Sequence, residues 1–226
     1  MNILIFGPNG SGKGTQSSAL KKKHDLEHIE SGGIFRENIK NATELGKKAK
    51  AYIDRGELVP DSITIPMILD RLGRAKKSWI LDGFPRNPSQ ARALYEGLKE
   101  ADIALNAVIV IELPRETAKS RLMGRRSCPD GHPNNTAIDV IAPKEENHQL
   151  LCWKCNKPVS VRSDDIDEKA IDIRLNIYFD SDNGTVGSID ALKEMAKEDT
   201  SVKFIHVDGK ADIQTVTQAI DKELEC

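Results

Sequence analysis

The chain has 226 residues, of which 38% are hydrophobic and 30% are charged, and its 33 basic and 35 acidic side chains leave a net charge of -2. This composition is typical of a soluble globular protein and gives no electrostatic reason to expect DNA, RNA or an anionic membrane as the main partner. The first apolar run stops at Gly7, too early for a signal-peptide core or a membrane span, so we expect a cytoplasmic protein.

Short apolar runs alternate with longer amphipathic stretches, a pattern typical of parallel strands joined by helices. The predicted strands are residues 1–6, 78–82, 107–113 and 202–207, and the predicted helices are residues 13–23, 89–99, 114–123, 189–197 and 213–224. Two segments interrupt this alternation: residues 31–60, which are polar and predicted to be helical, and residues 125–167, which show only weak periodicity. We therefore predict an α/β fold, with these two segments inserted into a core formed by residues 1–30, 61–124 and 168–226.

A glycine-rich loop follows the first predicted strand. Its G-x-x-x-x-G-K spelling, from Gly7 to Lys13, lies between a strand and a helix, the context that indicates a P-loop. Backbone N–H groups of such a loop converge on phosphate oxygens, and the following helix adds its positive N-terminal end. Lys13 is expected to reach the β- and γ-phosphates. The residue after Lys13 is Gly14, and the first hydroxyl side chain beyond it is that of Thr15, whereas GTPases have a hydroxyl residue directly after the lysine.

A second motif ends the strand predicted at 78–82, where Asp82 is followed by Gly83, Phe84, Pro85 and Arg86. Ligands of open α/β sheets bind beyond the carboxyl ends of the strands, so Asp82 and Arg86 should face the same crevice as the P-loop. A carboxylate there can hold a water on Mg²⁺, and a guanidinium can fork onto a phosphate.

Together, the loop that ends in Gly12-Lys13-Gly14-Thr15 and the string from Asp82 to Arg86 resemble the signatures of adenylate kinases and other nucleoside monophosphate kinases. The resemblance extends over almost the whole chain. It implies a three-layer P-loop fold in which residues 31–60 bind the monophosphate and residues 125–167 form a lid. The implied reaction is reversible, direct in-line transfer of the terminal phosphoryl group from MgATP to AMP, giving two ADP. A monomer that binds ATP, AMP and ADP is expected.

The resemblance also implies roles for individual residues. The residues implied for AMP binding are Ser31, Arg36, Leu58, Val59, Gly83, Arg86, Gln90, Arg162 and Arg174. Those implied for ATP binding are Gly10, Ser11, Gly12, Lys13, Gly14, Thr15, Arg121, Arg125, Gly209 and Lys210. The catalytic set is Lys13, Asp82, Arg86, Arg125, Arg162 and Arg174. Several arginines suit this chemistry because phosphoryl transfer is catalysed mainly by positioning and by electrostatic stabilisation of the transition state.

The segment 125–167 contains three of the four cysteines. Cys128 precedes His132 by four positions, and after 19 further residues come Cys152 and Cys155. A C-x₂-C knuckle with another cysteine and a histidine is a tetrahedral metal-binding pattern, and a closed set of four ligands favours a structural role. Zn²⁺ is the default ion, although Fe²⁺ or Co²⁺ also suits sulfur-rich sites. His132 is the preferred fourth ligand because its C-x₃-H spacing from Cys128 closes a compact loop through Gly131, and His148 is a competing ligand. A Cys152–Cys155 redox pair is an alternative, and Cys226 is expected to be free.

Other functions fit parts of this sequence. A kinase for UMP, CMP or GMP would keep the same motifs, although Gln90 occupies the position at which adenylate kinases read adenine. A nucleic-acid-binding zinc module on a P-loop scaffold would also use a C-x₂-C knuckle. The net charge of -2 and the absence of a basic, aromatic-rich stripe argue against that module.

Overall fold

A parallel five-stranded sheet forms the centre of the computed structural model, which describes residues 1–54, 59–162, 165–197 and 199–225. The strands are β1 (Ile3–Phe6), β2 (Glu27–Glu30), β3 (Trp79–Asp82), β4 (Ala107–Glu112) and β10 (Lys203–Asp208). Their order is β10-β4-β1-β3-β2. Ile5 of β1 pairs with Ile109 of β4 on one side and with Asp82 of β3 on the other. The strand that leads into the glycine-rich loop is therefore central in the sheet.

Helices cover both faces of this sheet. The helices of the described ranges are α1 (Lys13–His24), α2 (Ser31–Lys40), α3 (Glu44–Ile53), α4 (Asp61–Gly73), α5 (Pro88–Glu100), α6 (Arg115–Gly124), α7 (Glu168–Phe179), α8 (Thr185–Met195) and α9 (Ile213–Glu225). None of these helices is long and apolar enough to cross a membrane.

The hydrophobic core divides into two layers because side chains alternate between the faces of each strand. Ile3 and Ile5 of β1 pack in one cluster with Leu20 of α1 and with α9. Leu4 and Phe6 pack on the opposite face, in a larger cluster with α4, α5 and α8. Both faces of the sheet are thus buried, which explains why its central strands are continuous apolar runs. The predicted α/β fold with three layers is confirmed.

Within the core ranges 1–30, 61–124 and 168–226, the structure adds one strand and two helices to the predicted elements. β2 lies at the edge of the sheet and has the sequence Glu-His-Ile-Glu, in which only Ile29 is buried. A polar edge strand lacks the apolar run by which the other strands were predicted. The helices α4 and α7 are likewise absent from the predicted set. Helix α8 begins at Thr185, four residues before the predicted start at Ile189.

The two interrupting segments differ in structure. Residues 31–53 form α2 and α3, as the helical prediction for 31–60 requires. The stretch 125–161 holds short antiparallel strands: β5 (Arg125–Ser127), β6 (Pro133–Asn135) and β9 (Ser160–Val161) in one sheet, with β7 (Lys144–Glu146) and β8 (Gln149–Leu151) in another. Strands of two or three residues give no readable periodicity in the sequence.

Candidate active site

The glycine-rich loop connects β1 to α1, and its backbone requires glycine at particular positions. Gly10 has a φ of 93°, and a Cβ atom there would lie 2.8 Å from the carbonyl oxygen of Ala118. Only glycine combines a positive φ with such a close approach.

The side chain of Lys13 contacts the backbone of the same loop. Its Nζ atom donates hydrogen bonds to the carbonyl oxygens of Gly7 at 2.5 Å and Pro8 at 3.2 Å. The lysine therefore folds back over the mouth of the loop.

Charges from three other elements surround the Lys13 ammonium group. Burial lowers the pKa of Lys13, the Asp82 carboxylate at the end of β3 opposes this shift, and the guanidinium groups of Arg86 and Arg125 add to it. These interactions place the P-loop lysine, the end of β3 and the start of the 125–167 segment around one volume. The expectation that Asp82 and Arg86 share the P-loop crevice is met by this geometry.

This volume is a cleft of about 820 Å³. Most of the predicted site residues line it: Gly10, Ser11, Gly12, Lys13, Gly14, Thr15, Ser31, Arg36, Asp82, Gly83, Arg86, Arg121, Arg125, Arg162, Arg174, Gly209 and Lys210. Among the described residues, nine basic and four acidic side chains line the cleft, although the whole chain has a net charge of -2. The site therefore concentrates positive charge, as a site for two polyanions requires.

Backbone carbonyl groups hold two of these arginines. Arg86 donates from Nε to the Gly83 carbonyl oxygen at 2.8 Å, and Arg121 donates from Nη1 to the Gly209 carbonyl oxygen at 2.7 Å. The surrounding protein desolvates both guanidinium groups and so lowers the pKa of each. Ser31 donates to the same Gly83 oxygen at 3.0 Å, which brings the start of α2 to the end of β3.

Asp165 is a site residue that was not among the predicted candidates. Its side chain is fully buried, and its Oδ2 atom accepts from Nε and Nη2 of Arg125 at 2.6 Å. Its Oδ1 atom accepts from Nη2 of Arg174 at 2.8 Å. One carboxylate thus orients two of the predicted catalytic arginines. The available signal in the sequence was the position of Asp165 between Arg162 and Arg174, but other acidic residues also lie in this stretch.

A group of four potential metal ligands lies within the segment 125–162. One ligand atom each from Cys128, His132, Cys152 and Cys155 lies within 4.8 Å of every other. The Sγ atom of Cys128 is 3.4 Å from the Cys155 Sγ atom and 3.7 Å from the His132 Nδ1 atom. A tetrahedral Zn²⁺ with ordinary bond lengths separates its ligand atoms by about 3.5–3.8 Å, so this donor set fits such an ion.

The competing histidine is not part of this cluster. His148 is exposed in the turn between β7 and β8, with a φ of 61°, and the cluster of four does not include it. Burial raises the pKa of the Cys152 thiol, but N–H donors from Cys155, Asn134 and Lys154 outweigh burial and lower that pKa overall. Because the cluster contains His132 and does not contain His148, the geometry favours His132 as the fourth ligand. Cys226 lies outside the described residues.

Comparison with known proteins agrees with this geometry. A family model described as adenylate kinase matches residues 5–206. The adenylate kinase of Desulfosudis oleivorans is 54% identical over 228 residues, which cover 99% of this chain and all of that protein. The adenylate kinase of Desulfatibacillum aliphaticivorans is 54% identical over 97% of this chain and 98% of its own length. The adenylate kinase of Nitratidesulfovibrio vulgaris (strain DSM 19637 / Miyazaki F) is 51% identical over 99% of this chain and 100% of its own length.

The chain belongs to the adenylate kinase family. The resemblance predicted from the P-loop and from the string that ends in Arg86 is thereby confirmed.

Three of the predicted AMP-site residues, Leu58, Val59 and Gln90, are not among the described residues that line the cleft in this member of the adenylate kinase family. Gln90 is buried, donates from Nε2 to Asp61 at 2.6 Å and accepts from the Arg86 backbone N–H at 2.8 Å, and it is not among the residues that line the cleft. Val59 packs against the larger core cluster. Leu58 lies outside the described residues. Their contacts with a nucleotide stay predictions.

We expect Asp165→Asn to lower both stability and turnover. The neutral amide loses the ion pairs to Arg125 and Arg174, and we expect a loss of about 2 kcal/mol, below the usual range for a broken buried pair because both arginines are about a quarter exposed. The melting temperature should fall by about 4–8 °C. Misaligned guanidinium groups should lower kcat by roughly tenfold to 100-fold.

Asp139→Asn is the matched control for this variant, because Asp139 is an exposed acidic residue of the same cleft. Thermal unfolding and steady-state kinetics should show little change in the control. Equal behaviour of the two variants would contradict the orienting role of Asp165.

Proposed function

We propose that this chain is an ATP:AMP phosphotransferase that transfers the terminal phosphoryl group of MgATP to AMP and so forms two ADP. The observation that carries the proposal is that one cleft is lined by Asp82, Lys13 and five arginines: Arg86, Arg121, Arg125, Arg162 and Arg174. Two nucleotides bring many negative charges into one site, and this cleft supplies the compensating cations. Membership of the adenylate kinase family supports the same reaction.

The reaction is direct in-line transfer, so the protein positions the two nucleotides and stabilises the charge of the transition state. Mg²⁺ arrives with ATP and neutralises charge on the phosphates. Asp82 lies in the cleft with its side chain 16% exposed, which suits a carboxylate that holds the hydration shell of such an ion. Lys13 follows the transferred group as a point charge, and Arg125, Arg162 and Arg174 fix oxygen atoms in defined directions.

The two nucleotides occupy opposite ends of the cleft in this proposal. ATP binds the loop from Gly10 to Thr15, with Arg121 and the segment Gly209–Lys210 beside its base. AMP binds near the start of α2, where Ser31 and Gly83 are in contact and Arg36 and Arg86 line the cleft. Leu58, Val59 and Gln90, which are not among the described residues that line the cleft, stay predicted contacts of AMP.

A division into three domains follows from this arrangement. Residues 1–30, 61–124 and 168–226 form the core, residues 31–60 the monophosphate-binding domain, and residues 125–167 the lid. Closure of the two smaller domains over the nucleotides excludes water and so prevents hydrolysis of ATP. A monomeric state, a cytoplasmic location and the absence of a nucleic-acid partner stay predictions.

The four clustered side chains in the lid bind one structural metal ion in this proposal. Three thiolates and one imidazole, from Cys128, His132, Cys152 and Cys155, favour Zn²⁺, and Fe²⁺ or Co²⁺ would suit the same donors. Four protein ligands close the coordination sphere, so the ion has no direct part in phosphoryl transfer. Its binding energy stabilises the fold of the lid.

The experiment that tests the reaction measures ADP formation from MgATP with AMP, GMP, CMP or UMP as the acceptor. We expect strong preference for AMP. Preference for another base would leave the mechanism in place and overturn the proposed acceptor. Protein that binds ATP but transfers to none of the four acceptors would overturn the proposed function.

A further inference from the structure

Asn134 lies between the two halves of the cysteine and histidine cluster. It is the middle residue of β6, and only 2% of its surface is exposed. Its Nδ2 atom donates to the backbone carbonyl oxygen of His132 at 3.0 Å and to the Sγ atom of Cys152 at 3.3 Å. Its Oδ1 atom accepts from the backbone N–H of Trp153 at 3.1 Å. The carboxamide thus uses both its donors and its acceptor.

These three hydrogen bonds join segments that are distant in the chain. The His132 carbonyl belongs to the arm that carries Cys128 and His132, whereas Cys152 and Trp153 belong to the C-x₂-C knuckle, about twenty residues later. A buried amide that loses its partners costs free energy, so each bond favours the arrangement in which the arm and the knuckle face each other. That arrangement is the one that brings the four ligand atoms together.

The bond to sulfur has a second consequence. Cys152 is fully buried, and as a metal ligand it would be a thiolate in a place that water does not reach. An N–H donor stabilises this buried negative charge and withdraws electron density from the sulfur. Groups that bond to a ligand in this way commonly orient it and tune the metal.

We propose that Asn134 is a positioning residue of the lid metal centre, which aligns the Cys152 thiolate and holds the two ligand pairs at binding distance before the metal arrives. The inference rests on the proposed metal site. It assigns to Asn134, which also lies on the wall of the cleft, a role in metal affinity and in the electronic character of one sulfur.

The test uses the full-length chain with Asn134→Leu and Asn134→Asp. Asn134→Leu removes the donor and the acceptor, whereas Asn134→Asp keeps the acceptor for Trp153 and replaces the donor beside sulfur with a carboxylate. Asn156→Asp is the matched control, since Asn156 follows Cys155 in the same knuckle but is exposed and touches Lys144 rather than a thiol. Zn²⁺ affinity is measured by competition with a chelator, and the thiolate-to-metal charge-transfer band is measured with Co²⁺.

We expect both Asn134 variants to bind one ion per chain with roughly 10–100-fold weaker affinity. Their Co²⁺ charge-transfer band should shift to lower energy, because a sulfur without its N–H donor gives up an electron more easily. A purely structural role would weaken affinity without moving this band. The control should keep the affinity and the band of the unmodified chain.

A measurement on the unmodified chain avoids dependence on the folding of a variant. In protein loaded with a spin-½ cadmium isotope, the carboxamide protons of Asn134 should show scalar coupling to the metal through the Cys152 sulfur. Absence of this coupling would overturn the inference, as would unchanged affinity and band position in both Asn134 variants or an equal loss in Asn156→Asp. Failure of the unmodified chain to bind stoichiometric metal would instead overturn the metal site itself.

Discussion

Replacement of Lys13 by Met should lower kcat by on the order of 10³-fold while the protein stays folded. The ammonium group donates to the carbonyl oxygens of Gly7 and Pro8, so it lies at the mouth of the loop where the phosphates of ATP are expected. Methionine has a similar length and no charge. It therefore keeps the packing and removes the cation that follows the transferred phosphoryl group.

The direction in which Lys13→Met changes the stability of the protein can also be predicted. Burial lowers the pKa of Lys13, which means that the folded protein holds the charged form less favourably than the unfolded chain does. We therefore expect the melting temperature of Lys13→Met to be equal to that of the unmodified protein or slightly higher.

Lys22→Met is the matched control, because Lys22 is exposed on the same helix. Steady-state kinetics of phosphoryl transfer and thermal unfolding compare the two variants. If Lys13→Met kept the turnover of the control, the assignment of the P-loop lysine would be wrong.

Replacement of Cys152 by Ser should release the lid metal and lower the melting temperature by on the order of 10 °C. Cys152 is fully buried, and its Sγ atom lies 3.7 Å from the His132 Nδ1 atom. In the described part of the chain, none of the three hydrophobic clusters includes a residue between 125 and 162. Because the lid has so little core, bound metal supplies much of its stability, and a ligand at 1,000 times its Kd contributes about 4 kcal/mol.

Metal content per chain and thermal unfolding test this prediction, with His148→Gln as the control. His148 is exposed in the β7–β8 turn and outside the cluster, so its replacement should leave both quantities unchanged. His132→Gln should behave like Cys152→Ser. Full metal content in Cys152→Ser would contradict the ligand set.

The sequence predicted the elements whose signals are local. The strands β1, β3 and β4 are apolar runs because helices cover both faces of the central sheet, and each run is visible without knowledge of its neighbours. The edge strand β10 is half-exposed, but its apolar residues still predicted a strand. The glycine-rich loop was readable for a similar reason, since a strand, closely spaced glycines and a helix follow one another directly. The edge strand β2 was missed because only Ile29 of its four residues is buried.

The candidate site was predicted in part, and the limit lies in side-chain orientation. Arg125 and Arg174 were predicted from the motifs around them, but their shared partner Asp165 is 40 residues from Arg125, and nothing in the sequence pairs the two. Gln90 was placed by resemblance in the AMP site, and here its amide bonds to Asp61, 29 residues away. Such pairings depend on how α4, α5 and the lid pack together.

The metal cluster shows most clearly which features were predicted from the sequence and which depend on the tertiary structure. Cys128, Cys152 and Cys155 were assigned from sequence because C-x₂-C spacing by itself brings two sulfur atoms to one ion. The preference for His132 over His148 was already predicted from the C-x₃-H spacing, and the clustering of the four side chains supports it. The contact of Asn134 with Cys152 is visible only in the tertiary structure. Spacing determines what neighbours in the chain can reach together, whereas contacts between distant residues exist only after the strands of the lid have paired and packed.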